Sequence, residues 1–294
     1  MTNNRWRFRR AKTLEKRGQT VIMGIVNITP DSFSTGRGGV PGTADAVDLA
    51  LGQLRDGADI VDIGAESSRP GAEPLDADAE IARLGDTIRL VRARTDAPIS
   101  VDTYHAETAR FALEQGADII NDITALRGGW EEKDDLSTAM AELAAREGAH
   151  VILMHMPEAP RTMQSSPAYI DVLTEVKSFL LERAGRAKNA GIPESNVWLD
   201  PGFGFGKDFR HNRELLLGLG ELAEYGYPIA VGLSRKRMIR DALGVAEDER
   251  LEASLSLAVI ASLTGADLVR VHDVKATVRA VGMADAVRLG VTAY

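Results

Sequence analysis

VIMGIVNITPDSFSTG, residues Val21 to Gly36, is the stretch whose reading decides the fold. Its first half is a near-continuous apolar run rich in β-branched residues, the pattern of a strand buried on both faces of a parallel sheet. Asn27 and Thr29 follow, Pro30 cannot donate to a strand ladder, and Asp31 and Ser32 leave a polar tip. Taken alone, this is an ordinary strand-to-loop junction. The same pattern recurs along the chain, and the recurrence carries the argument.

Working outward, Thr43 to Asp56 has apolar residues at helical spacing and stops before Gly57, a helix-ending signal. A second short β-rich run, ADIVDIGAESSRPG from Ala58 to Gly71, has Asp62, Glu66, Ser67, Ser68 and Arg69 at its end. Further strand patterns are tipped by Asp102, by Asn121 and Asp122, by His155 and by Asp200. The seventh, from Pro228, leads through Ser234, Arg235 and Lys236 into a helix, and the eighth carries Arg270 and His272. Between them the spacing predicts helices over Leu75 to Thr95, Ala106 to Gln115, Leu136 to Glu147, Val172 to Asn189 and Glu214 to Tyr225. Leu251 to Gly265 reads as a buried helix and Lys275 to Leu289 as a closing one. Eight strands, each followed by a helix with no linker between, predict an α/β fold, a single (β/α)8 TIM barrel over residues 21–294. Residues 1–20 form a basic N-terminal extension. A doubly wound open sheet is the alternative, and the count of eight favours closure.

Composition narrows the function classes. The 294 residues include no cysteine, which removes disulfides, thiolate metal sites and cysteine nucleophiles. A net charge of −8 argues against a broad nucleic-acid or anionic-membrane surface. No apolar run approaches the roughly 20 residues of a spanning helix. The basic start lacks the apolar core of a secretory signal, so a cytoplasmic protein acting on small molecules is expected. No GxGxxG follows a strand, so a dinucleotide site is not indicated.

In such barrels the active site lies at the carboxyl ends of the strands. Here those ends supply Asn27, Asp62, Asp102, Asn121, His155, Asp200, Lys236, Arg270 and His272. One such residue could be a structural cap; a set this large on one mouth predicts an enzyme. Arg270 and His272, two apart on a strand, share a face, and a helix start follows Ser234, Arg235 and Lys236. That combination suits a phosphate or pyrophosphate. The competing reading pairs Arg270 with a buried acid and packs His272 in the core. Asp102, Asn121 and Asp200 can bind the donor-rich edge of a heterocycle, or alternatively a divalent metal. With so few carboxylates and imidazoles, Mg²⁺ shared between a substrate pyrophosphate and Asn27 is preferred to an all-protein cage. In the GFGFGK loop after Asp200, Phe203 and Phe205 either anchor in the core or stack on a ring.

Together, NITPDSFS, GAESSRPG, SVDT, NDIT, LMHM with PRTMQ, LDPGFGFGK, VGLSRK and RVHDV make the chain resemble the dihydropteroate synthases, from about Val21 to Val287. That resemblance implies a barrel, usually a homodimer, joining 4-aminobenzoate to 6-hydroxymethyl-7,8-dihydropterin diphosphate with release of pyrophosphate in folate synthesis. It implies that Asp102, Asn121, Asp200 and Lys236 hold the pterin ring, with Asp62 more peripheral. Asn27, Arg270 and His272 then match the pyrophosphate and Mg²⁺ site, and Asp102, Lys236, Arg270 and His272 are the expected catalytic set. Ser67, Ser68, Arg69 and Phe205 match the aminobenzoate pocket, which sulfonamides also occupy.

The chain departs from the family pattern at Thr35, where the first loop usually has an acid, and in the RGGVPG segment that follows. Pro157 and Glu158 replace the common Gln and Gly, which predicts a stiffer loop. Arg237 stands where Ser is frequent and can donate to the aminobenzoate carboxylate or point to solvent. Two other readings keep the pocket: a methyltetrahydrofolate-dependent methyltransferase domain, which needs no diphosphate site, and a non-catalytic pterin-binding paralogue.

Overall fold

The computed structural model describes residues 4–16, 18–28, 42–67, 72–129, 138–159, 163 and 168–290. Within the basic extension, β1 (Asn4–Trp6) and β2 (Leu14–Lys16) pair antiparallel as a hairpin. The barrel follows as β3 (Val21–Asn27), β4 (Ile60–Gly64), β5 (Ile99–Asp102), β6 (Ile119–Asp122), β7 (His150–Met154), β8 (Val197–Asp200), β9 (Ala230–Val231) and β10 (Leu268–Val271). All neighbours are parallel, in the order β8-β7-β6-β5-β4-β3-β10-β9. A parallel bridge between Leu199 and Ile229 brings the two ends of this sheet together. The predicted barrel is therefore the observed one.

Side-chain alternation explains the two cores. Ile22 and Val26 of β3 face outward into the layer shared with the helices, whereas Val21 and Met23 face the barrel axis. Met23, Ile60, Ile119, Ile152, Trp198 and Leu268 fill the lower barrel. Trp6 of the hairpin completes that layer from below, its ring 4.5 Å from that of Trp198. The hairpin is held by polar bonds as well: Trp198 Nε1 donates to His150 Nδ1 at 3.3 Å, and His150 Nε2 faces the Arg7 carbonyl at 3.1 Å. The backbone N–H groups of Arg10 and Ala11 both donate to Asp118. The extension thus seals the barrel floor.

Several helices match the spacing closely, including Ala106–Gln115 and Val172–Asn189. The segment expected as one helix over Leu75 to Thr95 is two, Ala77–Leu84 and Thr87–Arg92. Gly85 separates them at φ +47°, a left-handed conformation that halts α-helical hydrogen bonding while both halves keep their buried faces. Likewise, the stretch over Glu214 to Tyr225 resolves into Phe209–Leu217 and Leu219–Ala223, meeting at Gly218.

Candidate active site

Strand ends place an acid-rich network at the upper barrel. The Arg270 guanidinium bridges two carboxylates, with Nε 2.6 Å from Asp62 and Nη2 2.7 Å from Asp102. Asn121 Nδ2 also donates to Asp62, at 3.1 Å. Asp62 is completely buried, which such a charge tolerates only with partners of this kind. Burial pushes the Asp102 carboxyl up to about 7, against the pull of Arg270 and with the push of Asp62, Glu80 and Glu66. Asp200 is raised to about 6, also by burial, although it accepts the Gly202 N–H at 2.7 Å and faces Lys236 and Lys207.

A cavity of about 330 Å³ opens beside this network, lined by Asn27, Phe205, Lys236, Arg237, Arg270 and His272. Cations dominate its wall. His272 is an exception: burial first, then Arg270 and Arg235, lower its pKa to about 3, so the imidazole is neutral. Its Nδ1 lies 3.0 Å from Ser234 Oγ. With that hydroxyl as donor, Nε2 carries the ring proton and is the donor available to an anion. Arg235, also at the cavity wall, grips Asp273 with Nε and Nη2, at 3.0 and 2.7 Å. Arg270 thus pairs with acids, as the competing reading held, and it also lines the cavity.

The glycine-rich loop splits its two phenylalanines. Phe203 is buried in the main core. Phe205 packs beside Ile123, Met154, Met156 and Met163 with the Lys236 ammonium 3.8 Å above its ring, a cation–π contact at the cavity wall. Arg237 is exposed at the rim, 3.3 Å from Asp241. Just after β4, Glu66 accepts from Tyr104 Oη at 3.0 Å and lies 3.5 Å from His105, while Thr103 Oγ1 donates to Glu80 at 2.7 Å.

This arrangement of acids on one side, cations on the other and an aromatic wall between can be compared with known proteins. The family model described as pterin binding enzyme matches residues 23–272. The chain is 43% identical over 265 residues to a dihydropteroate synthase of Escherichia coli (strain K12), covering 90% of each. The chain belongs to the dihydropteroate synthase family. Its structure superposes on the Xanthomonas albilineans dihydropteroate synthase with 4-aminobenzoic acid at a TM-score of 0.86, with 40% identity and coverage of 98% and 99% of the two chains. The Yersinia pestis enzyme in complex with a sulfonamide drug gives 0.89, with 39% identity and coverage of 97% and 99%.

For a dihydropteroate synthase the expected residues fall into place unevenly. Asp62, Asp102, Asn121 and Arg270 form one hydrogen-bonded unit, and Asn27, Phe205, Lys236, Arg237, Arg270 and His272 share one cavity. Ser67 lines a small recess with Asp102, Glu66 and Tyr104. Ser68, Arg69 and Thr35 lie outside the described residues. Pro157 and Glu158 are exposed. Glu80, Tyr104, His105 and Lys207 were not singled out from the sequence. Glu80 sits on a helix with nothing to mark it, whereas Lys207 closes the GFGFGK motif and could have been noticed as a lysine headed indoors.

Among the described residues, the acidic and imidazole group close enough to grip a metal ion is Glu66, Glu80 and His105. Its imidazole already contacts the Leu75 carbonyl at 3.0 Å, and neighbouring Glu66 and Glu80 raise the His105 pKa, so it reads as an internal ion-pair network. Asn27 instead offers a neutral amide oxygen in the cationic cavity. That donor set fits Mg²⁺ arriving with a diphosphate, since Mg²⁺ keeps most of its waters and takes few protein ligands.

Proposed function

We infer that the groups gathered at this mouth carry the dihydropteroate synthase reaction, in which the amine of 4-aminobenzoate displaces pyrophosphate from the methylene of 6-hydroxymethyl-7,8-dihydropterin diphosphate. The observation that carries this division of labour is the Arg270 bridge, which ties an acidic floor to a cationic cavity. Asp102, Asn121 and Asp200 hold the donor-rich edge of the pterin, Asp62 fixes Asn121 and Arg270, and Lys236 faces the ring system. Arg270, the Nε2 proton of His272 and Asn27 receive the diphosphate. Asn27 would hold Mg²⁺ brought in with the substrate, and the ion would supply charge neutralisation for the leaving group.

As the carbon–oxygen bond loosens, positive charge grows on the pterin and negative charge on the departing diphosphate. The ionised Asp102 stabilises the first and Arg270 the second, so both interactions strengthen toward the transition state. The amine attacks the same methylene carbon and loses its proton to solvent. Phe205, Ser67, Ser68, Arg69 and Arg237 supply the aminobenzoate pocket, with the Phe205 ring as its aromatic wall.

A homodimer and a cytoplasmic setting belong to the same proposal. Helices Leu251–Thr264 and Val274–Leu289 pack together and expose Ile260, Leu263, Met283 and Val287, an apolar face suited to a second copy. Among the described residues no helix is long and apolar enough to cross a membrane. The reaction is tested by incubating the protein with dihydropterin diphosphate, 4-aminobenzoate and Mg²⁺ while following pyrophosphate and dihydropteroate together. Matched formation of both supports the assignment. Bound pterin with neither product would instead leave the non-catalytic paralogue.

A further inference from the structure

We infer that Lys207 is a positioning residue for the aromatic amine substrate: it fixes the loop over residues 202–206 against the end of β7 and so holds Phe205 over the Lys236 ammonium. The inference rests on the synthase reading above. Lys207 is 3% exposed, and its Nζ lies 3.0 Å from the carbonyls of Gly202 and Phe205, 3.3 Å from that of His155 and 2.9 Å from His155 Nδ1. An ammonium has three protons and no lone pair, so His155 Nδ1 accepts and the imidazole is neutral. Burial, then Lys207 and Arg127, lower the His155 pKa well below its ordinary value, in agreement.

The loop has little freedom apart from this bolt. Gly202, at φ +69°, passes so close to β7 that a Cβ there would sit 2.0 Å from the His155 carbonyl oxygen. Asn212 Oδ1 accepts the Gly204 N–H at 2.8 Å, and Tyr169 Oη donates to the Gly206 carbonyl at 3.1 Å. Phe205 therefore hangs from a backbone whose carbonyl at 205, with that of His155, is satisfied by one buried side chain, while the Gly202 carbonyl also accepts the Phe205 N–H at 3.2 Å. Deleting that side chain leaves buried acceptors without donors, which the loop can relieve only by moving. The residue it moves is the aromatic wall of the cavity; the Asp62–Asp102 pair on β4 and β5 is anchored independently through Arg270, and among the pterin-facing groups it is Asp200, which accepts the Gly202 N–H and faces Lys207, that the loop touches.

Titration gives a second handle. The charged and titratable groups facing Lys207 and its imidazole partner are His155, Asp200, Lys236, Tyr169 and Arg127. Burial lowers Lys207 to about 7, with Asp200 opposing and Lys236 adding. The neutral amine keeps two protons for the same acceptors, so one acceptor loses its donor as pH rises through that value.

Steady-state kinetics on the full-length protein test this. For the wild type, KM for 4-aminobenzoate, whose carboxyl stays ionised throughout, is expected to rise severalfold between pH 6.5 and pH 8. Lys207→Met should raise that KM about tenfold or more at pH 6.5 and abolish the further rise, with a clearly smaller rise in KM for dihydropterin diphosphate, because Asp200 loses a facing charge. Tyr169→Phe, which removes one hydroxyl from the same loop, should raise the aminobenzoate KM alone, by about threefold. If Lys207→Met does not fold, Tyr169→Phe decides. Unchanged KM values, an equal rise for both substrates, or a pH step that survives in Lys207→Met would overturn the inference. A wild type that forms no dihydropteroate would overturn the synthase reading itself, which is a separate result.

Discussion

The Arg270 guanidinium lies 2.7 Å from the Asp102 carboxylate, and its other arm reaches Asp62, so one cation compensates two acids in the barrel. Arg270→Ala should therefore do more than weaken diphosphate binding. It leaves the fully buried Asp62 and the partly buried Asp102 without their cation, at a cost of about 3 to 5 kcal/mol. The sign of its pH dependence follows. Without the cation, the folded-state pKa of Asp102 moves still further above its unfolded value, so stability is greatest at low pH and is lost as pH rises through the folded pKa. Urea unfolding at pH 5 and pH 8 should show a larger gap from wild type at pH 8. An equal gap at both values would contradict the network.

Asp102 should set the acid limb of the reaction. Its carboxyl stands at about 7 because of burial, and only the ionised form stabilises a cationic pterin. kcat/KM for the pterin substrate, which reports the free enzyme, should fall as pH drops below 7. Asp102→Asn should lower it by about a hundredfold or more and flatten that limb. A limb that persists unchanged in the variant assigns the titration to another group, with Asp200 at about 6 the next candidate.

The barrel was legible because its strands end in polar residues, a signal that depends only on local sequence. Asp102, Asn121, Asp200, Arg270 and His272 were picked out this way, and the structure does set them at or just beyond the carboxyl ends of their strands. What was not legible is long-range pairing. Nothing in the sequence separates Arg270 as a diphosphate ligand from Arg270 as the partner of buried acids, because Asp62 lies 208 positions away. Glu80 and His105 escaped notice because each looks like an ordinary helix or loop polar residue until the fold sets it against Glu66. The hairpin in the N-terminal extension escaped as well: strands of three residues leave almost no periodicity to read.

Trp6 completes the lower core from outside the barrel, which gives the hairpin a stability role separable from catalysis. Trp6→Ala should cost about 3 to 5 kcal/mol, the usual range for truncating a buried tryptophan. Activity per folded molecule at low temperature should stay near wild type, because the floor and the mouth are opposite ends of the strands. Thermal unfolding together with kcat on the same preparation checks both halves. A large loss of kcat in the folded variant would show that the floor also shapes the site.

The apolar face of Ile260, Leu263, Met283 and Val287 predicts dimerisation through the last two helices. Leu263→Glu combined with Met283→Glu places charges on both helices of that face and should convert the dimer to monomer in sedimentation velocity. Both residues are exposed in the single chain, at 53% and 64%, so the fold of each protomer should survive. A wild type that sediments as a monomer would remove the proposal without touching the active site.

Arg237 offers the most specific test of how this chain differs from its relatives. Its guanidinium lines the cavity with Phe205 yet rests 3.3 Å from Asp241 at the solvent edge. A rim contact of this kind is weak and easily exchanged for a substrate carboxylate. Arg237→Ala should raise KM for 4-aminobenzoate by about threefold to fivefold with kcat little changed, the signature of lost ground-state binding. Asp241→Ala should lower the same KM slightly, because it removes the competitor for the guanidinium. If both variants match wild type, Arg237 stays with Asp241 throughout the cycle, and the carboxylate is received elsewhere in the pocket.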